Sequence, residues 1–213
     1  MEQSPVPFAK NLKDDLHCFQ AALKMVLGVL DPKTRYSYRA LDAVTGFKKG
    51  NVTWDTQALL WLANQGFEVA KVTPFDYVAF AHRGATYLRD FWRADVFAFQ
   101  DAHSDLRREK ALAKGLLKNR RITLESRRPT LRDMEDCIKK GWLAIVNVDV
   151  ALLDKKKRYS PHSIVVTKLA PRFVEFHDPG LPPEPSRRVP RALFAKALHQ
   201  AELVLLRWPL PRG

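Results

Sequence analysis

The chain has 213 residues, 46% of them hydrophobic and 10% aromatic, enough to bury one sizeable core without division into several domains. Thirty-six Lys and Arg against 23 Asp and Glu leave a net charge of +13, which draws acidic partners. Two cysteines, no apolar run long enough to span a bilayer and no secretory pattern at residues 1–7 read against a disulfide framework, a membrane span and an export signal, and point to the cytoplasm.

The first element follows Asp14-Asp15. Apolar residues recur at Phe19, Ala22, Leu23, Val26, Leu27 and Leu30, the three- and four-residue steps of a helix with one buried face. With Asp15 as its expected N-cap, Cys18 sits in the first turn, where free N–H groups and the macrodipole favour a thiolate. The carboxylates of Asp14 and Asp15 oppose that effect, so an imidazolium has to outweigh them. His17 is a poor base for Cys18, because adjacent helical residues point in different directions.

Further helices are expected over residues 37–44, capped by Ser37 and stopped by Gly46, and over residues 53–65, followed by a strand over residues 67–73. Residues 74–119 read as helical, with a dense aromatic group from Phe75 to Trp92 that reads as core packing. A helix capped by Thr130 runs to residue 140 and holds Cys137, which reads as a small buried hydrophobe.

Strands then dominate, over residues 142–148, 162–169, 172–178 and 203–208, with a helix over residues 190–200 between the last two. The tract Asp154-Lys155-Lys156-Lys157-Arg158 and the Pro-rich residues 180–185 read as loops. Strands 162–169 and 172–178 form a hairpin. A three-residue loop pairs Ile164 with Phe176, Val166 with Val174 and His162 with Asp178 on one face; the two-residue alternative mixes apolar and charged groups. The preferred register sets a carboxylate beside an imidazole, the arrangement that orients a base and stabilises its protonated form. Helices and strands segregate, so the class is α+β, with a helical part over residues 1–119 and an antiparallel sheet over residues 120–213 of one domain.

A helix-start Cys with a downstream His/Asp pair on strands resembles the papain-like cysteine peptidases. Residues 17–27, His-Cys-Phe-Gln-Ala-Ala-Leu-Lys-Met-Val-Leu, resemble the nucleophile helix of the bacteriocin-processing, double-glycine-leader peptidases and their stand-alone relatives. So does His162 followed by His177-Asp178-Pro179-Gly180, and the likeness runs from Asp14 to the last strand. It implies a two-lobed papain-like fold and a peptidase in which Cys18 is the nucleophile, His162 the base and then acid, and Asp178 the residue orienting His162. These peptidases carry a Gln ahead of the Cys as an oxyanion donor. Here the six-residue offset falls on Leu12, which makes Asn11, one step further, the candidate amide donor beside the Cys18 N–H. Pro161 stands where a small residue often precedes the family's His.

The expected substrate is a peptide or small amide, with the basic tract at residues 154–158 favouring an acidic one. No ligand spacing suggests a metal, and no cofactor is expected. Basic pairs such as Arg107-Arg108 and Arg187-Arg188 are scattered and form no nucleic-acid-binding motif, so neither nucleic acid nor membrane is an expected partner. Two alternatives stay open: an acyltransferase of similar fold, because the same triad can pass an acyl group to an amine or thiol, and a catalytically silent domain binding peptide or nucleic acid.

Overall fold

The computed structural model describes residues 6–157, 160–199 and 201–209. Among these are ten α-helices and one seven-stranded sheet in a mixed α/β arrangement. No described helix is long and apolar enough to cross a membrane.

Helix α1 (Cys18–Leu30) buries Leu23, Met25, Val26 and Leu27 completely, the stripe legible in its sequence. Burial of one such side chain contributes about 2 kcal/mol, which fixes the helix on the sheet. The helix stops at Asp31, whose N–H returns to the Leu27 carbonyl. Its N-cap is His17 rather than Asp15, and no side chain caps it. Asp15 instead sits in a turn at φ +57°, its carboxylate held by the Asn11 amide at 2.8 Å.

Helix α2 (Tyr38–Thr45) has the expected Ser37 cap and ends on Gly46 at φ +67°. Helix α3 (Thr56–Asn64) is shorter than expected at its start, because Asp55 directs its carboxylate to Lys71 instead of capping and Trp54 packs into the aromatic group. After β1 (Glu68–Thr73), the helical stretch is broken into α4 (Tyr77–Arg83), α5 (Ala85–Phe91), α6 (Ala94–His103) and α7 (Leu106–Lys118). Gly84 at φ +57° divides α4 from α5, and the Asp105 carboxylate caps α7.

The rest of the chain supplies β2 (Ile122–Ser126), α8 (Leu131–Ile138), β3 (Leu143–Asp149), α9 (Val150–Leu153), β4 (Pro161–Leu169), β5 (Phe173–Asp178), β6 (Glu184–Pro190), α10 (Arg191–Leu198) and β7 (Glu202–Arg207). The sheet order is β2-β1-β7-β3-β4-β5-β6, antiparallel except for the parallel β1/β2 pair. The sheet therefore extends into the N-terminal half through β1. Strands β2 and β6 were not expected. Both are edge strands, polar and, in β6, Pro-containing, a composition that an edge tolerates and a central strand does not.

Alternate residues of the sheet feed two cores. Val69, Ile145, Val165, Val204 and Leu206 join the core with α1, α3, α4 and α7. Val146, Ile164, Val166, Phe176 and Leu205 join Met134, Phe194 and Leu198 on the other face.

The β4/β5 register differs from the expected one. Val165 pairs with His177 and Val166 with Phe176, and after a bulge at Thr167 come Lys168 with Glu175 and Leu169 with Val174. The four-residue turn at 170–173, closed by Ala170 N–H to Phe173 O at 2.9 Å, and the bulged residue offset the strands by two positions. An even offset preserves which residues share a face. Continued to the end of the hairpin, it sets Gly180 opposite His162 and leaves Asp178 on the diagonal.

Candidate active site

The first turn of α1 presents Cys18 where β4 begins and β5 ends. Cys18 is half-buried and lines a cleft of about 550 Å³ together with His162. The helix start leaves backbone N–H groups without intrahelical partners there, a field that favours negative sulfur. Burial pushes the thiol up. The hydrogen bond and charge of His162, with the N–H and hydroxyl of Ser163, outweigh that effect and hold Cys18 below the ordinary 9.0.

His162 Nε2 lies 2.9 Å from Asp178 Oδ1, with side chains only 10% and 7% exposed. The oxygen lies off the ring N–H direction, so the contact is an ion pair more than a straight hydrogen bond. Burial lowers the imidazole's affinity for its proton. Asp178 and the Cys18 sulfur more than restore it, raising His162 from 6.5 to about 10. Burial likewise raises Asp178, but His162, the Gly180 N–H and Arg187 bring it below its ordinary 3.8. The two shifts run in the same sense, each group favouring the charged form of the other.

Two residues complete this group that the sequence reading left out. Arg187 donates through Nη1 to Asp178 Oδ2 at 2.9 Å and also bonds Asp154, so the carboxylate is gripped from both sides. Gly180 donates its N–H to Asp178 Oδ1 at 3.0 Å, and a Cβ there would lie 3.0 Å from that oxygen and 3.1 Å from His162 Nε2. Nothing in the sequence marked Arg187 except membership of a basic pair. Gly180 was legible only as a chain breaker.

Asn11 stands apart from the other three expected site residues. It is buried and does not line the cleft. Its Oδ1 accepts from the N–H groups of Leu12 and His17, both at 2.8 Å, and its own N–H donates to Pro179 O at 2.8 Å. Asn11 thus ties the loop ahead of Cys18 to the turn after Asp178. His17 is wedged between Asp14 at 3.0 Å and Asp42 at 3.3 Å, away from the thiol, which also occupies the Asp14 charge. His177 accepts from Ser186 N–H through Nδ1 and lies 2.9 Å from Val6 O through Nε2, so the ring carries its proton on Nε2 and braces the N-terminal segment.

A second hollow of about 420 Å³ lies behind His162 and is lined by Asp154, Lys156, Asp178 and Arg187. The basic tract belongs to this side: Lys156 pairs with Asp154 at 3.0 Å, and Arg158 lies outside the described residues.

The far end of the main cleft holds a buried ionic group. Lys71, 2% exposed, donates to Asp55 at 2.6 Å, Glu202 at 2.9 Å and Tyr77 at 2.9 Å. Burial works against the ammonium, but the two carboxylates raise Lys71 well above its usual range. The chain matches no protein-family model, and no curated protein matches it.

Proposed function

We propose that this chain is a papain-like cysteine hydrolase that cleaves a peptide or related amide bond. The observation that carries the reading is that Cys18, at a helix start, shares one cleft with His162, whose Nε2 lies 2.9 Å from the buried carboxylate of Asp178. In this reading the Cys18 thiolate attacks the carbonyl carbon, and the oxyanion meets the Cys18 N–H at the helix start. The His162 imidazolium gives its proton to the leaving nitrogen, the C–N bond breaks, and a thioester with the neutral imidazole remains. Water then loses a proton to His162 as its oxygen adds to the thioester. Collapse releases the carboxylic acid and the thiolate, with the proton back on His162.

Asp178 keeps the ring aligned throughout, Arg187 keeps Asp178 ionised, and Asn11 acts as a positioning residue for the loop that aims the Cys18 N–H. The test is digestion of a mixed peptide library followed by mass spectrometry of the new termini. Cleavage by the parent, absent with Cys18→Ser, is the expected result. Identical products from parent and Cys18→Ser, or no turnover of any peptide, would overturn the proposal.

A further inference from the structure

A polar row crosses the floor of the cleft. Ser163 stands directly opposite Asn147, and Asn147 opposite Glu202, on the adjacent strands β4, β3 and β7. Ser163 Oγ donates to Asn147 Oδ1 at 2.7 Å, and Glu202 accepts from Thr73 Oγ1 at 3.2 Å and meets Lys71 of β1. Further along the same face the strands carry Val165, Ile145 and Val204, so this end has exchanged core hydrocarbon for charge. A staple between strands would need one anion for Lys71. Two are present, Asp55 and Glu202, leaving a surplus negative charge.

The direction of exposure decides what a ligand meets. Lys71 is 2% exposed and all three of its N–H bonds are spent on Asp55, Glu202 and Tyr77, whereas the Glu202 side chain is 37% exposed and lines the cleft. Gln20, on the same lining, has a wholly buried Oε1 without a hydrogen-bond donor. Unspent capacity along this lining is therefore acceptor capacity. Trp54, Trp92 and Phe99 complete the walls, and aromatic faces attract cations where water is thin. The overall +13 charge does not cancel this preference, because salt confines the field of distant surface charges to about 8 Å.

We infer that this end of the cleft is a subsite for a protonated amine carried on an apolar arm, so that the proposed hydrolase takes substrates whose cationic group is held by that arm away from the cleaved bond. The subsite rests on the proposed function only for the identity of that bond; amine binding is measurable without chemistry.

The experiment titrates the full chain carrying Cys18→Ser with phenethylamine, 2-phenylethanol and 3-phenylpropanoate, following the fluorescence of Trp54 and Trp92. The amine should saturate by about 10 mM, a weak affinity suited to so small a ligand. It should bind about tenfold more tightly than the alcohol, with the carboxylate weakest. Glu202→Gln should erase the preference for amine over alcohol while alcohol binding persists, and Trp92→Leu should weaken both.

If Glu202→Gln fails to fold, a measurement on the unsubstituted chain replaces it: phenethylamine should slow iodoacetamide labelling of Cys18 saturably, and the alcohol should do so only at higher concentration. Equal affinity for amine and alcohol, tighter binding of the carboxylate, no saturation by the amine, or an undiminished preference in folded Glu202→Gln would overturn the inference. Slow labelling of Cys18 regardless of His162 would defeat the proposed hydrolysis and leave the amine preference to be judged by the titration alone.

Discussion

Replacing Asp178 by Asn removes the charge that holds His162 protonated and leaves the shape nearly unchanged. The carboxylate is 2.9 Å from the ring and both side chains are close to fully buried, so solvent screens the pair weakly. An opposite charge at this range shifts a pKa by about 1–3 units, and the low exposure argues for about 2, or roughly 3 kcal/mol. The thiolate–imidazolium form should lose about a hundredfold in population relative to the neutral pair.

The assay is the pH dependence of Cys18 alkylation by iodoacetamide, with thiolate absorbance as a second readout. In the parent the thiolate appears below pH 9.0, and the imidazolium persists to about 10. In Asp178→Asn the onset should move up by about two pH units. Stability should follow the same sign: the His162 contribution is complete below pH 6.5 and is lost as pH rises toward about 10. The variant should therefore show a flatter alkaline slope in melting temperature. Arg187 retains Asp154, so the fold should survive. Superimposable alkylation profiles for parent and variant would refute the electrostatic reasoning.

Three further outcomes follow from individual contacts. Arg187→Gln leaves Asp178 and Asp154 without their shared cation, and urea unfolding should show a loss of about 3 kcal/mol; a loss below about 0.5 kcal/mol would show the link to be idle. Gly180→Ala puts a methyl 3.0 Å from Asp178 Oδ1 and 3.1 Å from His162 Nε2, so Cys18 alkylation at neutral pH should slow about tenfold with little change in melting temperature, and an unchanged rate would contradict the required close approach. Lys71→Met strands two carboxylates and should cost about 3–5 kcal/mol by the same urea measurement, whereas a cost below about 1 kcal/mol would mean that the cluster is not a buried ionic group.

What could be read from the sequence was periodic or local. The stripe Phe19 to Leu30 gave α1, and the alternation in residues 162–169 and 172–178 gave two strands with His162 and Asp178 on one face. The register needed the Thr167 bulge, which no side-chain pattern announces because the offset on its His162 side is even and leaves the faces there intact. Strand β6 was hidden by its prolines, which are acceptable only because the strand is at an edge. Asp15 has the chemistry of a cap, but the turn at φ +57° carries it away from the helix. Nothing in the strand expected over residues 67–73 singled out Lys71. Its partners Asp55, Tyr77 and Glu202 are set around it only by tertiary packing. Local pattern thus reached the proposed nucleophile and its proposed base, while the groups that brace and flank them are products of long-range geometry.

The central claim is that Cys18 is an activated thiol because His162 faces it. Competitive labelling with limiting iodoacetamide at neutral pH, followed by mass spectrometry, compares Cys18 with Cys137, whose thiol is pushed up by burial in a helix without an imidazole partner. Cys18 should react about a hundredfold faster than Cys137, and His162→Ala should remove that advantage. Equal slow labelling of both cysteines in the parent, or fast labelling of Cys18 that survives the loss of His162, would contradict it.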